Sequence, residues 1–149
     1  MGSGLEKKLK TKRVLLVPRS MPAHYQPFLP VGRHLVEAGH TVGFVQFSPL
    51  PHVASLGFEM LTADVEYQPS AALKNEPVSD TSILEFQRRM FVGLVPELLG
   101  HLRPIVQSFR PDVVAFDAHC DAAAIAAHLD HVPAASVFTN LMPFLWRHR

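Results

Sequence analysis

Strand-like and helix-like segments alternate along this chain, and that alternation limits the folds open to it more than any single residue does. Five short runs read as strands: Val14–Pro18, Thr41–Phe47, Phe58–Ala63, Asp112–Ala118 (DVVAFDA) and Val132–Asn140 (VPAASVFTN). Most are rich in β-branched or aromatic residues and end at proline, glycine or a polar pair, the pattern of strands buried on both faces. Helical patterns separate them. Strands joined by helices run parallel in one sheet with helices on both faces, and right-handed crossovers leave few strand orders. We therefore expect a three-layer α/β fold, a Rossmann-like doubly wound parallel sheet with strand order 3-2-1-4-5.

The connecting segments carry their own signals. From Pro27 the apolar residues Phe28, Val31, Leu35 and Ala38 recur at helical spacing, and Pro27 and Pro30 are tolerated in a first turn whose amides have no helical partner. Gly39 ends that helix. Arg19–Gln26 reads as a loop, Val53–Leu56 as a short helix, and residues 64–80 as a long polar loop. Asp80 caps a helix carrying Ile83, Leu84, Phe86, Met90, Phe91, Leu94 and Val95, with a kink expected at Pro96 and an end near Phe109. The alanine-rich CDAAAIAAHLD, residues 120–130, forms a helix that permits close packing.

At 149 residues with 48% hydrophobic content, the chain has material for one core. Residues 1–12 read as a flexible basic leader and 13–149 as one domain. With 14 basic and 13 acidic side chains there is no overall field to attract nucleic acid. The single cysteine, Cys120, excludes an internal disulfide and any multi-cysteine metal centre. No apolar run is long enough to span a bilayer and the N-terminus lacks a signal-peptide core, so a cytoplasmic location is expected.

In the 3-2-1-4-5 order the crossovers reverse direction between the first and fourth strands, and ligands bind such sheets in the crevice at the strands' carboxyl ends. His24 follows the first strand; Asp117 and His119 end the fourth. A carboxylate beside an imidazole fixes the ring's tautomer, and the other ring nitrogen then accepts a proton from a substrate hydroxyl. A purely structural histidine bonded to a loop carbonyl is the competing account. The first turn, PRSMPAHYQP, has no glycine, which argues against NAD or ATP bound in the usual way.

RVLLVPRSMPAHYQPFLPVGRHLVEAGHTVGFVQF, GFEMLTADV and PDVVAFDAHCDAAAIAAHLDHVPAASVFT together resemble the N-terminal domain of GT-B nucleotide-sugar glycosyltransferases, from about Arg13 to Met142. The likeness is to inverting enzymes that glycosylate macrolides, carotenoids, sterols and plant phenolics. It implies the N-terminal half of a GT-B fold, with a base in a G-H-x-x-P pattern that here reads AHYQP. His24 takes the place of that base, Ala23 replaces the glycine, and Asp117 takes the place of the orienting aspartate. The resemblance further implies a metal-independent displacement with inversion on a small hydrophobic hydroxylated acceptor. The co-substrate would be a nucleotide sugar of the UDP-sugar type, held by a second, donor-binding domain in cis or in trans. No cofactor is then expected on this half, which resembles a truncated acceptor half inactive alone.

Four further residues are candidates for the acceptor site: His119, Phe91, Thr139 and Met142, with Phe86 and Met90 beside Phe91. A Met and aromatic stripe at helical spacing also fits a core. His119, Cys120 and Asp121 carry metal-capable atoms, but adjacent positions point apart, and no metal site is expected. Cys120 near a helix start is a candidate for a lowered thiol pKa. Trp146 in PFLWRHR suggests an apolar patch near the C-terminus through which copies self-associate. The rival functional reading is a non-catalytic Rossmann-like binding or scaffold module.

Overall fold

The first strand sets the architecture, because its side chains alternate between two separate cores. In the computed structural model, which describes residues 10–65, 85, 88 and 92–138, β1 (Arg13–Val17) lies at the centre of a five-stranded sheet. Its neighbours are β2 (Thr41–Gln46) and β4 (Val113–Asp117), with β3 (Glu59–Thr62) and β5 (Ala134–Val137) at the edges. The order β3-β2-β1-β4-β5 and the parallel direction of every pair are those expected from the alternation.

Successive strand residues face opposite sides of a sheet. Leu15 and Val17 therefore join Val45, Val114 and Phe116 on one face, under α4 (Val95–Phe109) and α5 (Asp121–Leu129). Val14 and Leu16 join Val42 and Phe44 on the other, under α2 (Phe28–Glu37) and α3 (Pro51–Ala54). Burying each of these larger apolar side chains contributes about 1.5–3 kcal/mol. On the α5 face Ala122, Ala123, Ala126 and Ala127 are all buried, and their short side chains allow the helix to lie close to the sheet.

Two glycines have definite work in this frame. Gly39, at φ +85°, takes the left-handed conformation that closes α2, with its N–H donated to Val36 O at 2.9 Å. Gly43 in β2 lets the sheet meet α4 directly: a Cβ there would lie 2.8 Å from the Phe109 ring. Arg13 closes the same corner by stacking over Phe109 at 4.3 Å and donating from Nε to the Phe109 carbonyl at 2.8 Å.

Several expectations change. Arg19–Gln26 is not all loop: Pro22–Tyr25 forms a short helix, α1, with Pro22 in its first turn. Val31 is 53% exposed, because the inward line of α2 runs through Phe28, Gly32 and the half-buried Leu35. Pro96 sits in the first turn of α4, where its missing N–H costs no helical bond, and Pro104 lies inside that helix; most of the stretch from Asp80 expected to lead into it lies outside the described residues. Strands β3 and β5 are shorter than their apolar runs, and β5 is largely exposed at the sheet edge. The leader through residue 9, the loop beyond Val65, and Phe86, Met90, Phe91, Thr139, Met142 and Trp146 lie outside the described residues.

Candidate active site

Pairing of β1 with β4 brings the two halves of the site together. Val17 is in register with Phe116, so the residues after β1 meet Asp117 across the carboxyl edge of the sheet. The chain leaves β1 through Pro18 and Arg19 and turns at Met21, whose carbonyl accepts from His24 N at 2.8 Å and Tyr25 N at 3.1 Å. Tyr25 is buried in the α2-side core, and its hydroxyl lies 3.3 Å from His52 Nε2. That anchor holds α1 and aims His24 at β4.

His24 Nδ1 lies 2.8 Å from Asp117 Oδ2. The histidine is 7% exposed and the aspartate fully buried. Asp117 Oδ1 accepts the backbone N–H of His119 at 2.9 Å and lies 3.2 Å from His119 Nδ1. A carboxylate only accepts hydrogen bonds, so this arrangement places the proton of the His24 ring on Nδ1 and leaves Nε2 as the acceptor. Ala23 is exposed within α1, and its backbone is not left-handed. A glycine is not needed there for the local conformation.

Arg19 is the residue that sequence reasoning missed. It is 6% exposed, in the same corner as Asp117 and Cys120. Burial pushes its guanidinium below the ordinary value, while the negative charge of Asp117 and the Cys120 thiol act in the opposite direction. A single arginine after Pro18 has the look of a solvated loop charge; only its position beside the switch in strand direction hints otherwise.

Cys120 is buried ahead of α5, and its thiol is pushed up to about 11, chiefly by burial. The lowered thiol suggested by the helix start is therefore corrected: desolvation outweighs the helix end. Cys120 and Asp121 do not join His119 in a ligand set. Instead His24, Asp117 and His119 each present one metal-capable atom within 4.8 Å of the others. Two imidazoles and a carboxylate are a zinc-type donor set, whereas the buried charge of Arg19 opposes a second cation beside Asp117.

The fold and crevice define an open, doubly wound α/β domain with an imidazole–carboxylate pair at its topological switch point. Solved structures similar to it include glycosyltransferases. The calicheamicin glycosyltransferase CalG4 superposes with a TM-score of 0.73 over 93% of this chain and 37% of its own, at 18% identity. SsfS6 from Streptomyces sp. SF2575 gives 0.70 over 84% and 38%, also at 18% identity. SnogD from Streptomyces nogalater gives 0.67 over 88% and 36%, again at 18%. The chain thus has the Rossmann-like fold of the N-terminal half of GT-B glycosyltransferases, and it spans little more than a third of the length of these enzymes. No protein-family model and no curated protein matches it.

Proposed function

We propose that this chain is the acceptor-binding part of a glycosyltransferase that moves a hexose from a nucleotide sugar to a hydroxyl of a small hydrophobic acceptor, with inversion. The observation that carries the reading is the 2.8 Å contact of His24 Nδ1 with Asp117 Oδ2 at the carboxyl edge of the sheet. His24 Nε2 takes the acceptor hydroxyl proton as the oxygen attacks the anomeric carbon. The new carbon–oxygen bond forms while the bond from that carbon to the diphosphate oxygen breaks, and the diphosphate leaves with the electron pair. Asp117 keeps the ring in the reactive tautomer and stabilises the imidazolium that forms.

Base catalysis by a positioned histidine supplies about 10²–10⁴-fold. It does not hold the donor, so turnover calls for a donor-binding domain in cis or in trans. SsfS6 and VinC have been solved with thymidine diphosphate, which supports a nucleoside-diphosphate sugar as co-substrate without favouring uridine. Among the described residues no helix is long and apolar enough to cross a membrane. A cytoplasmic setting remains part of this proposal.

Calorimetric titration tests the division of labour. The chain is expected to bind a phenolic, macrolide or terpenoid alcohol in the absence of nucleotide sugar, and to bind a nucleotide sugar weakly. Tight nucleotide-sugar binding with no alcohol binding would overturn it. Binding of neither would favour the scaffold reading.

A further inference from the structure

We propose that His119 is a positioning residue: its ring Nδ1–H acts with its own backbone N–H to fix the Asp117 carboxylate, so that the other carboxylate oxygen meets His24. The inference rests on the reading of His24 as the base and adds what sets the geometry of its partner.

Asp117 ends β4, and an aspartate carboxylate has a broad torsional well about its Cβ–Cγ bond unless its oxygens are engaged. Here both are. Oδ1 accepts the His119 backbone N–H at 2.9 Å and lies 3.2 Å from His119 Nδ1, while Oδ2 lies 2.8 Å from His24 Nδ1. The turn that brings His119 round is closed by the Cys120 N–H, donated to the Asp117 carbonyl at 2.8 Å. Because a carboxylate only accepts, the His119 ring supplies a proton at Nδ1, and it does so whether the ring is neutral or charged. The ring also packs against the base: His24 and His119 meet edge to face, with centroids 5.7 Å apart.

The hydrogen bond to Oδ1 depends on the ring nitrogen next to Cγ. Asparagine carries its amide nitrogen at that same place, whereas glutamine carries one farther along, near the position of Nε2. Leucine offers no donor. All three keep the backbone N–H to Oδ1, and the His119 side chain is 31% exposed, so water competes for the ring contact. Loss of the ring donor is therefore expected to cost about tenfold in turnover, less than loss of the base itself.

The test measures transfer with the donor-binding part present for wild type, His24→Ala and three variants at position 119, with thermal melting to report folding. His119→Leu and His119→Gln are expected to lower kcat about tenfold with KM for the acceptor near wild type, and His119→Asn to restore kcat to within about threefold. Proton spectra of the chain alone give a readout independent of turnover. A hydrogen-bonded ring N–H resonance downfield of the amides, absent in His24→Ala, is expected in wild type and His119→Asn. Faster exchange should weaken it in His119→Leu and His119→Gln.

Wild-type kcat in folded His119→Leu and His119→Gln, with His24→Ala inactive, would overturn the proposal and leave the base standing. So would a raised KM in His119→Asn with normal turnover in His119→Gln, the pattern of a side chain that touches the acceptor through Nε2. If His24→Ala keeps the wild-type rate, the reading of His24 as the base falls and this inference falls with it.

Discussion

His24 and Asp117 are 93 residues apart in the chain and 2.8 Å apart in the fold. The distance closes because β1 and β4 are adjacent parallel strands in register at Val17 and Phe116, and each residue follows or ends its strand on the carboxyl side. The pair is therefore a consequence of strand order, and its role is open to direct test.

Asp117→Asn should keep the shape of the pair and damage its chemistry. An amide can present its N–H to the ring and favour the tautomer with the proton on Nε2, the wrong one for a base. Transfer measured with the donor-binding part present is expected to fall about 10²–10⁴-fold, comparable to the loss of the base itself. Acceptor affinity should change little. A rate within a few fold of wild type would remove Asp117 from the mechanism.

Gly43→Ala should destabilise the domain by about 1–3 kcal/mol through overpacking. The added methyl would sit 2.8 Å from the Phe109 ring and 3.1 Å from Leu15, both in the closed core between β2 and α4. Urea denaturation with unchanged slope and a lower midpoint is the expected result. Because this contact involves Phe109 and the middle of β1 at Leu15, and not the carboxyl end of β1 that leads to His24, transfer by the folded fraction should be retained.

Burial raises the Cys120 thiol from its ordinary 9.0 to about 11. A group protonated more readily in the folded chain than in the unfolded one favours folding fully below pH 9.0, and that contribution is lost as pH rises towards 11. Wild type should thus lose stability over that window relative to Cys120→Ala. Iodoacetamide should label native protein slowly and denatured protein fast at mildly alkaline pH. Equal rates in the two states would contradict the buried, inert thiol.

At the opposite edge, Asp112 ties the starts of β1 and β4 together. Its carboxylate accepts from the Arg13 backbone N–H at 2.8 Å and from Lys12 Nζ at 2.9 Å, and these partners, Arg13 first, lower its pKa. A lowered carboxylate pKa favours folding above the ordinary 3.8 and loses that contribution as pH falls below it. Asp112→Asn is therefore expected to show a shallower acid dependence of its melting temperature than wild type. The exposed position keeps the effect small.

Much of this was legible in the sequence because the strands are short, apolar and separated by clear breakers. Crossover rules reduced the sheet to a few orders, and the doubly wound one among them brings His24 to the end of β4. What escaped was local or electrostatic. Pro22 and the Met21 carbonyl make a helical turn of a stretch, Arg19–Gln26, that reads only as a loop in the sequence. Pro96 falls in the first turn of α4, where a proline breaks no helical hydrogen bond. Arg19 gave no periodic signal, since its burial depends on the β1–β4 junction. The spacing of Asp117 and His119 concealed that both histidines turn to one carboxylate, which only the closed turn after β4 reveals.

The most direct test of the central claim is the transfer rate of His24→Ala against wild type, measured with the donor-binding part present at saturating nucleotide sugar and acceptor. The account predicts a loss of about 10²–10⁴-fold with melting temperature and acceptor affinity close to wild type. An unchanged rate in a folded, acceptor-binding variant would show that His24 is not the base.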